Sequence, residues 1–287
     1  MKKIFFCVIL FLIKYISRSS RHGNKLKMKN QNIELINEAY LIEKLSPLGL
    51  RECAVFDTLD STNTEAKRKV LCGTDTPLLV IADSQTAGRG RMGRSFYSPS
   101  RTGLYMSLAT EITGGLSETV GITSAAAVSV FRAIRRVCGI ETGIKWVNDI
   151  YLDGKKICGI LAESFVEKDR LFTIIGIGVN LNTNSFPEDI KSIASSLDTD
   201  LSLKGELAAE ICKELLTVIP NIKSREFMND YREHSVVLGK KVVFIENGLI
   251  YRGFAESISD DGALTVLLES GAHRALTSGE ISLRTEE

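Results

Sequence analysis

Residues Leu78–Ala82 form an unbroken apolar run, and two residues later the chain enters Ser84-Gln85-Thr86-Ala87-Gly88-Arg89-Gly90-Arg91-Met92-Gly93-Arg94. A run of strand length bounded by polar residues is the signature of a strand buried on both faces, so it must sit inside a covered sheet. That strand delivers the chain into a loop of alternating and near-alternating glycines and three arginines. Glycine lets backbone N–H groups come close to a ligand, and guanidinium forks match phosphate or carboxylate oxygens. The segment reads as an anion cradle. No Gly-Lys-Ser/Thr closes it, so it is not a Walker loop, and no helix follows as a dinucleotide fingerprint requires. The plainer alternative is a surface loop with solvated charges. Loops beyond about 12 residues in compact domains are usually functional or disordered, and a lid that orders on binding fits both descriptions.

Around this loop the pattern is mixed. Ile33, Ile36, Tyr40, Leu41 and Leu45 recur at helical spacing, predicting an opening helix over Asn32–Leu45. A strand over Ala54–Leu59 follows, and Thr62 with Glu65 has the spacing of a capping box for a helix running to about Cys72. Strands are expected at Leu104–Ala109, Ile144–Trp146, Ile150–Leu152, Lys156–Phe165 and Phe172–Leu181, with Asp153-Gly154 as a hairpin turn. Val120–Val137 is a long helix with Ala125, Ala126 and Ala127 as a small face. Leu207, Ile211, Leu215 and Val218 mark another, and Phe227 with Tyr231 a third. After Ser235 short strands alternate with the turns Asn247-Gly248, Asp261-Gly262 and Ser270-Gly271. The expected fold class is α+β: a mixed sheet flanked by helices, then a small C-terminal β-barrel or sandwich over residues 235–287 that docks on the main domain of residues 28–234.

Two further motifs carry chemistry. Gly143-Ile144-Lys145-Trp146-Val147-Asn148-Asp149-Ile150 places one lysine in an apolar strand. Its ammonium must reach solvent or meet something negative inside the fold, where it would clamp a phosphate or carboxylate. Trp146 is expected in the core, and Asn148-Asp149 can be a simple turn. Gly176-Ile177-Gly178-Val179-Asn180-Leu181-Asn182 sets two glycines in a strand, the pattern of a β-bulge or of a wall approached closely by a ligand.

The 36 basic and 35 acidic side chains leave a net charge of +1, which removes the bulk attraction that drives nonspecific binding to nucleic acid. Any phosphate chemistry must be local. Six scattered cysteines, without a Cys-x-x-Cys pair, read as reduced thiols in a cytoplasmic protein and not as a zinc site. The apolar run Ile4–Ile13 after Lys2 and Lys3 imitates a secretory signal. It is too short to span a bilayer and lacks a small-x-small cleavage site, so residues 1–27 are expected to be a non-native or disordered extension.

Taken in order, GRGRMGR, KWVND, KKICGIL and GIGVNLN resemble the biotin protein ligases, or biotin-[acetyl-CoA-carboxylase] ligases, from about Phe56 to the closing GEISLR. The resemblance implies ATP-dependent activation of biotin as biotinyl-5′-AMP, with magnesium, and transfer to a lysine of a biotin carboxyl carrier domain. It further implies that Ser61, Thr62, Asn63, Gln85, Gly88, Arg89, Arg91, Lys145, Gly159 and Ile160 bind biotin. Arg91, Lys145, Asn148, Lys156 and Asn180 would face the nucleotide, with Lys145 and Arg91 catalytic; no metal ligand is assigned. Only 60 residues precede Ser61-Thr62-Asn63, so the DNA-binding domain of bifunctional members is not expected. The family pattern has proline where Val147 stands, and valine is expected to keep a strand conformation there. A lipoate-protein ligase of the same fold and a noncatalytic nucleotide-binding module remain alternatives. No membrane association is expected, and monomer and homodimer stay open.

Overall fold

Residues 36–113, 119–246, 248–277 and the backbone of 283–285 are described by the structure, a computed structural model. The expectations for residues 1–27, for Cys7, for residues 32–35 of the opening helix, for the Asn247 half of one turn and for most of GEISLR lie outside them.

The chain opens with α1 (Glu38–Leu45), whose first turn is capped by the Asn37 side chain accepting from Tyr40 N. Strand β1 (Glu52–Leu59) leads to α2 (Thr62–Leu71). The expected capping box does not form. Thr62 is already helical, Ser61 stands at the cap without a side-chain bond, and Glu65 pairs with Arg68. The orphan N–H of Thr62 is instead taken by Gln85 Oε1 at 2.9 Å, a partner from the far end of the next strand. That strand, β2 (Leu78–Gln85), is buried over its first five residues as its apolar run requires.

Next come β3 (Gly103–Ile112), α3 (Ile122–Cys138), β4 (Gly143–Lys145), β5 (Asp149–Leu152), β6 (Lys155–Glu167) and β7 (Arg170–Asn180). They pair with β1 and β2 in the order β1-β2-β3-β7-β6-β5-β4, parallel between β1 and β2 and antiparallel elsewhere. Period-two alternation sorts the side chains onto two faces. Leu79, Ile81, Leu104, Met106, Ile175 and Ile177 join the main core with Ala125–Ala127 and Phe131 of α3 and with α4 (Lys204–Val218). Leu78, Val80, Ala109, Phe172 and Ile174 face the other way, onto Ala66 and Val70 of α2. The small α2 covers only part of that second face. The remainder is where the site opens.

Helix α5 (Phe227–Glu233) leads to a five-stranded antiparallel sheet of β8 (Lys241–Glu246), β9 (Leu249–Ile258), β10 (Leu264–Leu268), β11 (His273–Leu276) and β12 (Leu283–Thr285), in the order β11-β10-β9-β8-β12. It is tied to the preceding elements by specific bonds, from α5 and from the turn after β4. Arg232 Nε donates to Ile258 O at 2.8 Å, and Trp146 Nε1 donates to Gly262 O at 2.8 Å. The expected core position of Trp146 holds, and its ring nitrogen is satisfied by the second sheet.

Of the described cysteines, Cys53, Cys158 and Cys212 are buried and Cys72 is exposed. Burial pushes the Cys53 thiol up to about 12 and raises Cys158 and Cys212 further. Among the described residues no helix is long and apolar enough to cross a membrane.

Candidate functional site

The register of the large sheet builds the floor of a cavity of about 700 Å³. Lys145 of β4 lies opposite Asp149 of β5, Asp149 opposite Gly159 of β6, Gly159 opposite Gly178 of β7, and Gly178 opposite Tyr105 of β3. One row across five strands therefore runs from a cation, through a carboxylate, over two residues without side chains. The next row sets Leu161, Gly176 and Ser107 side by side. The glycines are demanded by what lies over them. A Cβ at Gly178 would sit 2.7 Å from Phe96 Cζ, and one at Gly176 would sit 2.8 Å from Asn63 Cγ.

The arginine segment is not the open loop its composition suggested. Gly90 N donates to Arg94 O at 2.7 Å, Phe96 N donates to Gly88 O at 2.9 Å, and Arg89 bridges to Ser95, so it folds back as a hairpin. Met92 and Gly93 make the tip, both at positive φ. Two arginines of its outgoing strand anchor the hairpin. Arg89 Nη2 meets Glu163 Oε1 at 2.6 Å, and Arg91 Nη1 donates to Asn148 Oδ1 at 3.0 Å. Arg89 and Arg91 thus enter the cavity that Lys145 enters from β4. Gly88 does not line it. A Cβ there would meet Phe96 O and Ser98 Oγ, so this glycine serves the close approach of the two hairpin strands.

At one end of the cavity Ser61, Thr62 and Asn63 are buried at the start of α2. Thr62 Oγ1 donates to Gln85 Oε1 at 3.2 Å, and Gln85 Nε2 donates to Ser98 Oγ at 2.9 Å. Ser107 Oγ lies 2.8 Å from Thr62 Oγ1 and 2.7 Å from Asn63 Oδ1. Asn63 Nδ2 donates to Glu163 Oε2 at 2.9 Å. This polar string, with hydroxyls and amides of both senses, suits a small neutral head group that both donates and accepts.

At the other end Lys145 Nζ donates to Tyr151 Oη at 3.1 Å and stands 4.6 Å from the centre of its ring. Burial, with the charge of Asp149 adding, pushes the Tyr151 phenol up to about 12, so it remains a neutral acceptor. Burial lowers the pKa of Arg91 against the pull of Asp149, yet a guanidinium starts so high that it stays charged. Lys156 pairs with Asp149 at 2.6 Å, and Asn180 Nδ2 donates to Ser195 O at 2.9 Å. Ile160 sends its side chain to the opposite core, and both its backbone groups bond Asn148. Val147 is not in a strand. It lies in a turn after a cis Trp146–Val147 peptide, and its carbonyl accepts from Tyr231 Oη at 3.0 Å. Among the described residues no three His, Cys, Asp or Glu side chains converge as metal ligands.

Of the residues singled out in the sequence, all but Gly88 line the one cavity. Phe96, Tyr97, Tyr151, Glu163 and Ser107 were missed. Period-two spacing from Gly159 through Leu161 points to Glu163, and paired glycines on adjacent strands call for a bulky group such as Phe96 above them.

Residues 55–180 match the Biotin/lipoate A/B protein ligase family, and residues 237–284 match the Biotin protein ligase C terminal domain. The chain is 36% identical over 239 residues to the Bifunctional ligase/repressor BirA of Bacillus subtilis, covering 79% of this chain and 72% of that protein. It is 30% identical over 228 residues to the Biotin--[acetyl-CoA-carboxylase] ligase of Mycobacterium tuberculosis, covering 75% and 83%. Among solved structures, the biotin protein ligase of Aquifex aeolicus in complex with biotin and ATP superposes with a TM-score of 0.70 at 29% identity, covering 83% of this chain and 100% of that one.

Proposed function

The chain belongs to the biotin protein ligase family, and on that premise we propose that it joins biotin to a carrier lysine through an adenylate made in the cavity between the arginine hairpin and Lys145. One observation carries this reading: Arg89, Arg91 and Lys145 converge on a single cavity whose floor is a row of glycines.

In the first step a biotin carboxylate oxygen bonds to the α-phosphorus of ATP while the bond to the pyrophosphate oxygen breaks, giving biotinyl-5′-adenylate and pyrophosphate. Two anions meet, so the demand is for alignment and charge neutralisation. Lys145 supplies one cation from the end of β4, and Tyr151 fixes its direction. Arg91, steadied by Asn148, supplies another from above. In the second step the amine of an acceptor lysine attacks the acyl carbon, an amide forms and AMP leaves. The same cations then hold the departing phosphate.

Ser61, Thr62, Asn63 and Gln85 receive the bicyclic head of biotin, Gly159 lets its chain lie on the floor, and Lys156 and Asn180 stand on the nucleotide side. Magnesium would arrive on the triphosphate oxygens, since the described residues form no carboxylate cage for it. The carrier would be a biotin carboxyl carrier domain of a carboxylase. Incubation with ATP, magnesium, labelled biotin and such a domain tests the reading. Label on a single lysine is expected; labelling that proceeds with lipoate and fails with biotin would refute it.

A further inference from the structure

Glu163 stands outside the cavity lining, yet its two oxygens reach two different parts of the site. Oε1 takes Arg89 of the hairpin at 2.6 Å, and Oε2 takes Asn63 Nδ2 at 2.9 Å. A carboxylate only accepts, so Glu163, together with the longer contact to Leu161 O at 3.3 Å, turns the Asn63 NH2 outward and its carbonyl oxygen to Ser107 and the head-group pocket. An amide free to flip would present either polarity with equal shape. The Asn63 amide is 4% exposed and packed over Gly176, so its orientation is fixed by partners and not by solvent. The Arg89 pair is half exposed, and such pairs add little to stability. Its consequence is geometric: one side chain links the position of the hairpin to the polarity of the pocket beneath it.

We propose that Glu163 is a positioning residue for biotin capture, holding the Arg89 hairpin down and setting the hydrogen-bonding sense of Asn63. The proposal rests on the ligase reading above. Glu163 touches neither reactant; it acts through Arg89 and Asn63. It therefore governs how tightly biotin and its adenylate are held, while the charge on the reacting atoms is left to Lys145 and Arg91.

The test is Glu163→Gln, which keeps the shape, removes the charge from Arg89 and allows an N–H to face Asn63. Biotin-dependent exchange of pyrophosphate into ATP is followed beside the wild type, with a thermal melt of each. Expected are a biotin KM raised about tenfold, as loss of one charge-assisted contact gives, with the ATP KM and the rate at saturating biotin within about twofold of wild type. An unchanged biotin KM, or a fall confined to kcat, overturns the proposal. If the glutamine variant does not fold, Glu163→Asp makes the same test, because its shorter arm keeps the charge but cannot reach both partners. Wild-type protein without exchange would instead sink the ligase reading itself.

Discussion

Gly176→Ala makes a sharp test of the pocket geometry. The new Cβ would lie 2.8 Å from Asn63 Cγ and 3.0 Å from Nδ2, with Oδ1 closer still. Asn63 is not the loose end of a long side chain. It is buried and bonded to Ser107 at 2.7 Å, Glu163 at 2.9 Å and Leu161 O at 3.3 Å. To regain van der Waals separation its amide must retreat by about 1 Å, which opens the two shorter bonds past useful length. Overpacking of a filled site costs about 1–3 kcal/mol, so the protein should still fold, with a lower denaturant midpoint. With its amide displaced, Asn63 no longer meets the head group in register, and losing one or two such contacts at about 0.5–1.5 kcal/mol each should weaken biotin binding about 10- to 100-fold. Trp146, the single tryptophan, lines the cavity, so its fluorescence can follow a biotin titration. A folded Gly176→Ala protein with wild-type biotin affinity would refute the reasoning.

Other consequences follow from the same geometry. Lys145→Ala should slow pyrophosphate release by about 100-fold or more, as loss of a preorganised cation does; a wild-type rate would remove Lys145 from the chemistry. Tyr151→Phe keeps the ring under Lys145 but not the hydrogen bond, so its loss in rate should be smaller than that of Lys145→Ala. Because the phenol is held neutral up to about 12, it should add no inflection to the wild-type rate profile below about pH 10. Asp83 provides a stability test. Burial opposes its charge, but hydrogen bonds from the buried Lys204 (2.9 Å) and from Ser100 outweigh it, and its pKa falls below the usual carboxylate value. A depressed native pKa gives stability that is complete above the unfolded pKa of about 4 and is lost as pH falls through the native value. Lys204→Met should abolish that acid-dependent part, read from denaturant midpoints between neutral and strongly acidic pH.

Much of the fold could be read from the chain because burial and periodicity agree at most elements. Leu78–Ala82, the alanines of α3 and the Asp153-Gly154 turn announce themselves locally. What stayed hidden depends on partners far away in sequence. The start of α2 looks like a capping box, yet the decisive bond to Thr62 comes from Gln85, 23 residues on. Val147 has strand propensity, but the turn it occupies is set by the Tyr231 hydroxyl and by Trp146 reaching the second sheet. In the site, arginines, the strand lysine and paired glycines were visible as anomalies within otherwise ordinary elements. Phe96 and Glu163 are ordinary residues by type; only the hairpin's return brings Phe96 to the cavity, and only register brings Glu163 to Arg89 and Asn63 at its edge.

The central claim is that these cations activate biotin as an adenylate in this cavity. Isotope exchange between pyrophosphate and ATP, measured with biotin, with lipoate and with neither, tests it most directly. Exchange that depends on biotin and is absent with lipoate is the expected result. Exchange supported by lipoate, or none with either acid, would contradict it.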